Sequence, residues 1–350
     1  RKPRHRAPGL SYERSRAWVH GGGRRHAAVV IFGCIMYLTE FAQALEPLDI
    51  TGTAYFADAL RTASDLGGTP QPPFACVSRN LLVQGLRLHM TDWGADTPDR
   101  PALVLLHGGA VTGRTWGPFC ALLAHRYRLI AVDMRGHGDS EWPRDAHAAH
   151  NTMAEDVRQI IAQLQLERPV VVGHSVGGML LMRLMVHSPE LLRGAVLVDV
   201  GPEVVYPGWE PKKEVHETVR LYESVDEYVR RQAPRMKRSE EHIRRNAQHE
   251  LMQREDGLYQ LKFDPRHPMG GLDGRFMPGM PDLETLRSVA LPTLVARGAQ
   301  SGFLLQDAAE RLAQTLPRGE LAVIPDCEHM VYTDNPAALA QAVDGFVAGL

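Results

Sequence analysis

The sequence predicts an α/β domain with a mostly parallel central sheet, helices on both faces and a helical cap inserted between two strands. Two observations carry the fold. Short apolar runs alternate with segments of helical period through residues 74–202 and again through 291–350, the pattern of buried parallel strands joined by helices. From Glu203 to Ala290 the chain instead becomes charged and helical in period, with no buried-strand run. A third observation locates the chemistry. The β-branched run Val170-Val171-Val172 leads into Gly173-His174-Ser175-Val176-Gly177, a G-x-S-x-G between a strand and a helix. There the glycines allow a turn too tight for a side chain, so Ser175 stands clear of the sheet beside the N–H of Val176.

Composition sets the bounds. A chain of 350 residues with 44% hydrophobic content buries one large core plus an inserted subdomain rather than two equal domains. The net charge of −2 comes without a basic stripe, which argues against nucleic acid as a partner. Cys34, Cys76, Cys120 and Cys327 lack C-x-x-C spacing, so neither a zinc site nor a disulfide framework is expected, and each reads as a small buried hydrophobe.

Residues 1–73 read as an N-terminal extension. Arg1 to Arg25 is basic, Ala27 to Leu38 is apolar and Ala42-Gln43-Ala44 has a small-x-small form, so residues 24–44 resemble a signal segment. The apolar run is too short to span a bilayer, and no stable membrane anchor is expected. A cytoplasmic location is the expectation and export the alternative; an over-extended reading frame or a disordered extension would also give this start. Leu45 to Leu66 is loosely helical, residues 67–73 form a Gly/Pro linker, and the compact domain is expected to begin at Phe74.

From Asn80 to Trp93 the alternation of Leu86, Leu88 and Met90 with Arg87, His89 and Thr91 gives a hairpin turning at Gln84-Gly85. Ala102 to Leu106 is a buried strand running into His107-Gly108-Gly109-Ala110, whose glycines free the backbone to present N–H groups. Gly109 N–H is thus the candidate oxyanion donor beside Val176 N–H. Trp116 reads as a packing residue or at most a pocket wall, and with His107 it is a candidate substrate contact. Arg128 to Asp133 is the next strand, closing on a sharp turn through Ser140. A capping box at Thr152-Met153-Ala154-Glu155 opens a helix with Val157, Ile160, Ile161 and Leu164 on one face. Gly194 to Val200 is a further strand, after which residues 203–290 form the cap at the carboxyl edge of the sheet, placed to roof the serine. The sheet resumes with Pro292 to Ala296 and Leu321 to Ile324, around a helix from Gln306 to Leu316, and an amphipathic helix from Pro336 to Leu350 closes the chain.

A serine hydroxyl needs a base to take its proton. Of sixteen histidines, His329 is best placed, on the loop after the last strand. His107, His137 and His174 abut glycine-rich turns, where a structural hydrogen bond fits better. Without H-x-x-x-H or carboxylate spacing a metal reading is disfavoured, and no cofactor is needed.

The joint occurrence of His107 to Ala110, Asp133 to Ser140, Gly173 to Gly177, Leu197 to Glu203 and the late His329 resembles the α/β-hydrolase superfamily over about residues 74–350. The similarity is greatest to bacterial esterase-like members with a helical cap, in which a segment like Asp256 to Pro265 recurs. The resemblance implies a serine hydrolase acting on a small-molecule carboxylic ester or lactone, with carbon–carbon hydrolysis or perhydrolysis as alternatives. One departure matters. Such members carry the third triad residue in a segment like R-G-x-x-S-D, and here Arg297 to Gly302 ends in glycine. Asp199, at the end of the preceding sheet strand, is the leading substitute, with Asp307 and Glu203 as minor candidates; the further alternative is that no carboxylate serves, which would leave a weakly catalytic, ligand-binding hydrolase homologue. Acyl preference and oligomeric state carry no signal in the sequence.

Overall fold

A computed structural model describes residues 46–144, 149–205, 220–235, 239–266 and 279–350. The signal-like segment and parts of the cap (206–219, 236–238 and 267–278) lie outside the described residues.

Among the described residues, twelve strands and eight principal helices occur in the order β1 Leu48–Asp49, α1 Ala54–Asp65, β2 Cys76–Val83, β3 Leu86–Trp93, β4 Ala102–Leu106, α2 Gly117–Leu123, β5 Arg128–Val132, α3 Ala149–Gln163, β6 Val170–His174, α4 Val176–His187, β7 Gly194–Val198, β8 Leu221–Tyr222, α5 Val225–Gln232, α6 Glu240–Glu250, β9 Leu251–Gln253, β10 Tyr259–Leu261, β11 Thr293–Gly298, α7 Gln306–Thr315, β12 Gly319–Ile324 and α8 Pro336–Ala348. Nine strands form one sheet in the order β1-β2-β3-β5-β4-β6-β7-β11-β12. The run from β5 to β12 is parallel, and β1, β2 and β3 add antiparallel at one edge. The chain leaves β4 outward to β5 and returns across β4 to β6, so the strand order reverses between β4 and β6. The crevice at the carboxyl ends there is where open α/β sheets bind ligands.

Both sheet faces are covered, as the all-apolar strands require. Val157, Ile160 and Ile161 of α3, Met179 to Met185 of α4 and Leu312 of α7 pack on one face. On the other lie Tyr55 and Phe56 of α1, Phe119 of α2 and Val343 and Phe346 of α8. Even the hairpin strand β3, half polar by sequence, is buried on both faces from Leu88 to Trp93, because α1 covers the side that alternation leaves to solvent.

Three expectations need correction. The folded body starts before Phe74: Leu48 and Asp49 pair with Ser78 and Val77 of β2, and Phe56 stacks on Trp93 with ring centroids 5.3 Å apart. The segment reads as an extension because it contributes one helix and a two-residue strand rather than a strand–helix repeat. Helix α3 begins at Ala149, a turn before Thr152, so the capping-box residues lie within the helix. The cap is not purely helical: β8, β10 and β9 form a small antiparallel sheet against α5 and α6, around Tyr222, Tyr228, Val229, Ile243 and Leu251. These strands are two or three residues long, too short for a periodicity signal.

The described cap leans on two supports. Gly138 N–H donates to Lys262 O and Asp264 N–H to Gly136 O, each at 2.8 Å, so β10 extends onto the loop after β5. Helix α6 meets α1 through Arg245–Asp65 at 3.2 Å and the His249 ring edge-on to Tyr55 at 5.1 Å.

Candidate active site

Strand β6 ends at His174, and Ser175 sits at φ 50°, ψ −116°, ahead of α4. This backbone is strained for a residue with a side chain and persists where its surroundings hold it. Gly177 is required: a Cβ there would stand 2.5 Å from the carbonyl oxygen of Leu106. Val176, the first residue of α4, has an N–H with no acceptor inside the helix. The β4 loop comes equally close, since a Cβ on Gly108 would lie 3.4 Å from Ser175 Cβ and 2.6 Å from His174 Nδ1.

His107 sets that loop. Its Nε2 accepts from Met134 N–H at 3.0 Å, which leaves the proton on Nδ1 to donate to Gly108 O at 2.6 Å. Carbonyl and N–H point opposite ways in a trans peptide, so fixing Gly108 C=O also fixes the direction of Gly109 N–H. Burial pushes the His107 imidazole below its usual range, against its hydrogen bond to Gly108, consistent with this neutral tautomer. Neither His107 nor Trp116 is solvent-accessible. Trp116 stacks on Tyr332 with centroids 3.9 Å apart, under the loop that carries His329. Both expected substrate contacts are therefore buried supports, drawn inward by a backbone acceptor in one case and an aromatic stack in the other.

His329 reaches Asp199: Nδ1 lies 2.8 Å from Oδ2. The Asp199 carboxylate is wholly buried and takes two further bonds, from Gly298 N–H at 3.1 Å and Ser301 Oγ at 2.6 Å. Its backbone is also left-handed, at φ 49°. Asp307 and Glu203 instead pair with Arg311 on the surface. Gly302 is exposed. His329 is brought beside the elbow by His174, whose ring centroid is 4.7 Å from its own. Among the described residues no hydrogen bond joins Ser175 Oγ to His329; catalytic hydrogen bonds commonly tighten only with substrate bound. Two contributors had no distinct signal in the sequence, Ser301 and the Gly298 N–H. The serine of the R-G-x-x-S segment was the one clue to them.

A second chain of the same three residue types runs through the sheet. Ser78 Oγ is 2.9 Å from His89 Nε2, and His89 Nδ1 is 2.7 Å from Asp133 Oδ2. Burial raises the Asp133 carboxyl, but His89 and the N–H of Asp139 outweigh it and hold the group well below the usual carboxylate range. His89, Asp133 and Asp139 also have their ligand-type atoms within 4.8 Å of one another. Those atoms are already used: Asp133 accepts from His89, Gly113 N–H and Asp139 N–H, while Asp139 pairs with Lys262 and Arg114. The cluster is a hydrogen-bond hub joining β3, the β4 loop and the β5 loop.

No helix among the described residues is long and apolar enough to cross a membrane. The sequence pattern of the alpha/beta hydrolase fold matches residues 101–336. The chain is 27% identical over 305 residues to the esterase Rv0045c of Mycobacterium tuberculosis, covering 85% of this chain and 97% of that one. It is 24% identical over 277 residues to the 2-(acetamidomethylene)succinate hydrolase of Mesorhizobium japonicum, covering 77% and 95%. Among solved structures, an alpha/beta hydrolase from Novosphingobium aromaticivorans superposes with a TM-score of 0.67 at 25% identity, over 80% of this chain and all of that one.

Proposed function

From the premise that this chain is a member of the α/β-hydrolase family, and a hydrolase, we propose that it cleaves carboxylic esters or lactones of small molecules through an acyl-enzyme on Ser175. Ser175 Oγ attacks the carbonyl carbon while His329 Nε2 takes its proton. His329 then gives that proton to the departing alcohol oxygen. Water, deprotonated by the same imidazole, releases the acid and restores the serine. Asp199 holds the Nδ1–H tautomer and stabilises the imidazolium. The N–H groups of Val176 and Gly109 receive the negative charge that develops on the carbonyl oxygen.

The observation that carries the reading is the 2.8 Å bond between His329 and Asp199, behind a serine on a strained turn. The bond between Asp199 and His329 supports this reading over the weakly catalytic binder that Gly302 raises. The test is hydrolysis of a short p-nitrophenyl ester together with labelling by a fluorophosphonate. Stoichiometric label on Ser175, and loss of both activities in a folded Ser175→Ala variant, are expected. Undiminished hydrolysis by Ser175→Ala would overturn the assignment.

A further inference from the structure

We infer that Ser301 is a positioning residue for the acid: its hydroxyl fixes the Asp199 carboxylate so that one lone pair of Oδ2 is left facing His329. The inference rests on the roles proposed above for Asp199 and His329, and it assigns a task to the loop after β11, whose expected acid is absent.

The direction of the Ser301 bond follows from counting hydrogens. Ser301 Oγ receives the N–H groups of Phe303 at 3.1 Å and Leu304 at 3.3 Å. Both of its acceptor positions are then used, and its own hydrogen goes to the remaining neighbour, Asp199 Oδ2 at 2.6 Å. On the carboxylate, Oδ1 takes Gly298 N–H while Oδ2 is shared between Ser301 and His329 Nδ1–H. A carboxylate with no solvent contact needs its lone pairs matched by such donors. With one of them coming from the end of β11 and one from the loop after it, the group cannot rotate without breaking both.

That loop is itself held rigidly. The buried Arg297 guanidinium donates to three carbonyls of it, Leu304 at 2.8 Å, Ala299 at 3.1 Å and Ser301 at 3.1 Å. Ala299 N–H and Gln300 N–H tie it to Ile324 O and Cys327 O, each at 2.8 Å, at the root of the His329 loop. Phe303, two residues on, lays its ring 4.1 Å from that of His329. The segment thus keeps its place beside the histidine and contributes a hydroxyl to the carboxylate that follows β7.

The experiment compares Ser301→Ala with the unaltered protein in two readouts. On a p-nitrophenyl ester, kcat should fall roughly 10- to 100-fold with KM nearly unchanged, the range in which outer hydrogen bonds to a reacting group act, and Ser301→Thr should regain most of the loss. In proton NMR, with His329 protonated, the far-downfield Nδ1–H resonance should move in Ser301→Ala and return in Ser301→Thr. The NMR arm is repeated in a Ser175→Ala background and needs no turnover, so it stands even if ester hydrolysis itself is not found. Should Ser301→Ala fail to fold, Ser301→Cys against Ser301→Thr makes the same comparison, a weak S–H donor against a hydroxyl. An unmoved resonance, an unchanged kcat, or equal behaviour of Cys and Thr overturns the inference.

Discussion

His174 Nε2 donates to the backbone carbonyl oxygen of His329 at 2.8 Å, so the residue immediately before the serine holds the loop that carries the histidine. Burial pushes the His174 imidazole well below its usual range, and the neighbouring His329 adds to this. The ring is therefore neutral, with its proton on Nε2 because a carbonyl can only accept. His174→Phe keeps a ring of similar shape and removes the donor. We expect kcat to fall by roughly 10- to 100-fold with KM little changed, and His174→Gln, which restores a donor, to recover part of it. A His174→Phe enzyme with undiminished kcat would mean the loop is held without this bond.

Asp199 is the acid in the proposed triad, so Asp199→Asn should lower kcat by about four orders of magnitude, the effect of losing the group that fixes the imidazole tautomer. Gly302→Asp in the unaltered background should then bring no gain, since His329 Nδ1 is already bonded. A large rise in turnover with Gly302→Asp would show that Asp199 does not serve.

How much of this was legible in the sequence follows from the range of each interaction. The elbow was readable because strand, G-x-S-x-G and helix are contiguous, and one turn fixes where Ser175 sits. His329 was readable from chain order. The Asp199 pairing was visible only as one carboxylate among several, because 130 residues separate it from His329 and nothing local says which loops meet. Ser301 was less legible still, since a serine in a loop looks the same whether its hydroxyl faces water or a buried carboxylate. The substrate contacts failed for a related reason: Trp116 and His107 border the site in sequence, but sequence does not say which way a side chain turns.

Ser78, His89 and Asp133 repeat the bonding of a triad without its setting. Ser78 lies within β2, paired with Leu48 and Thr91 across regular ladders, so backbone N–H groups there are committed to the sheet, and among the described residues Ser78 does not precede a helix as Ser175 does. With no donors aimed at a developing oxyanion, the largest catalytic contribution is missing. Ser78→Ala should leave ester hydrolysis unchanged, and intact-mass analysis after fluorophosphonate treatment should show a single adduct, on Ser175. A second adduct on Ser78 would refute the claim that bond order alone does not activate a serine.

Phe56 lies outside the residues matching the family pattern, yet it packs between Phe74 and Trp93 at 5.7 and 5.3 Å and is 8% exposed. Phe56→Ala should cost about 3–5 kcal/mol, the range for emptying a buried aromatic site, read by chemical denaturation. A cost below about 1 kcal/mol would mean α1 is a dispensable attachment and not part of the core.

The same helix sets a pH dependence through His249, whose ring rests edge-on against Tyr55. Burial pushes the imidazole down to about 4, with the positive Arg114 and Lys262 adding to the shift and Asp139 opposing it. His249 is thus neutral when folded at a pH where the unfolded chain, at 6.5, would bind a proton. Stability is intact above the unfolded value, declines as pH falls from about 6.5 to about 4, and changes no further below that, for a total of at most about 3 kcal/mol. The depressed carboxyls of Asp133 and Asp139 start from 3.8, so their loss begins where that of His249 ends. His107 and His174 shift in the same direction as His249, and a residual slope should survive its replacement. Unfolding free energies measured across this window should therefore fall less steeply in His249→Phe than in the unaltered protein, and parallel curves would show that His249 titrates normally in the folded state.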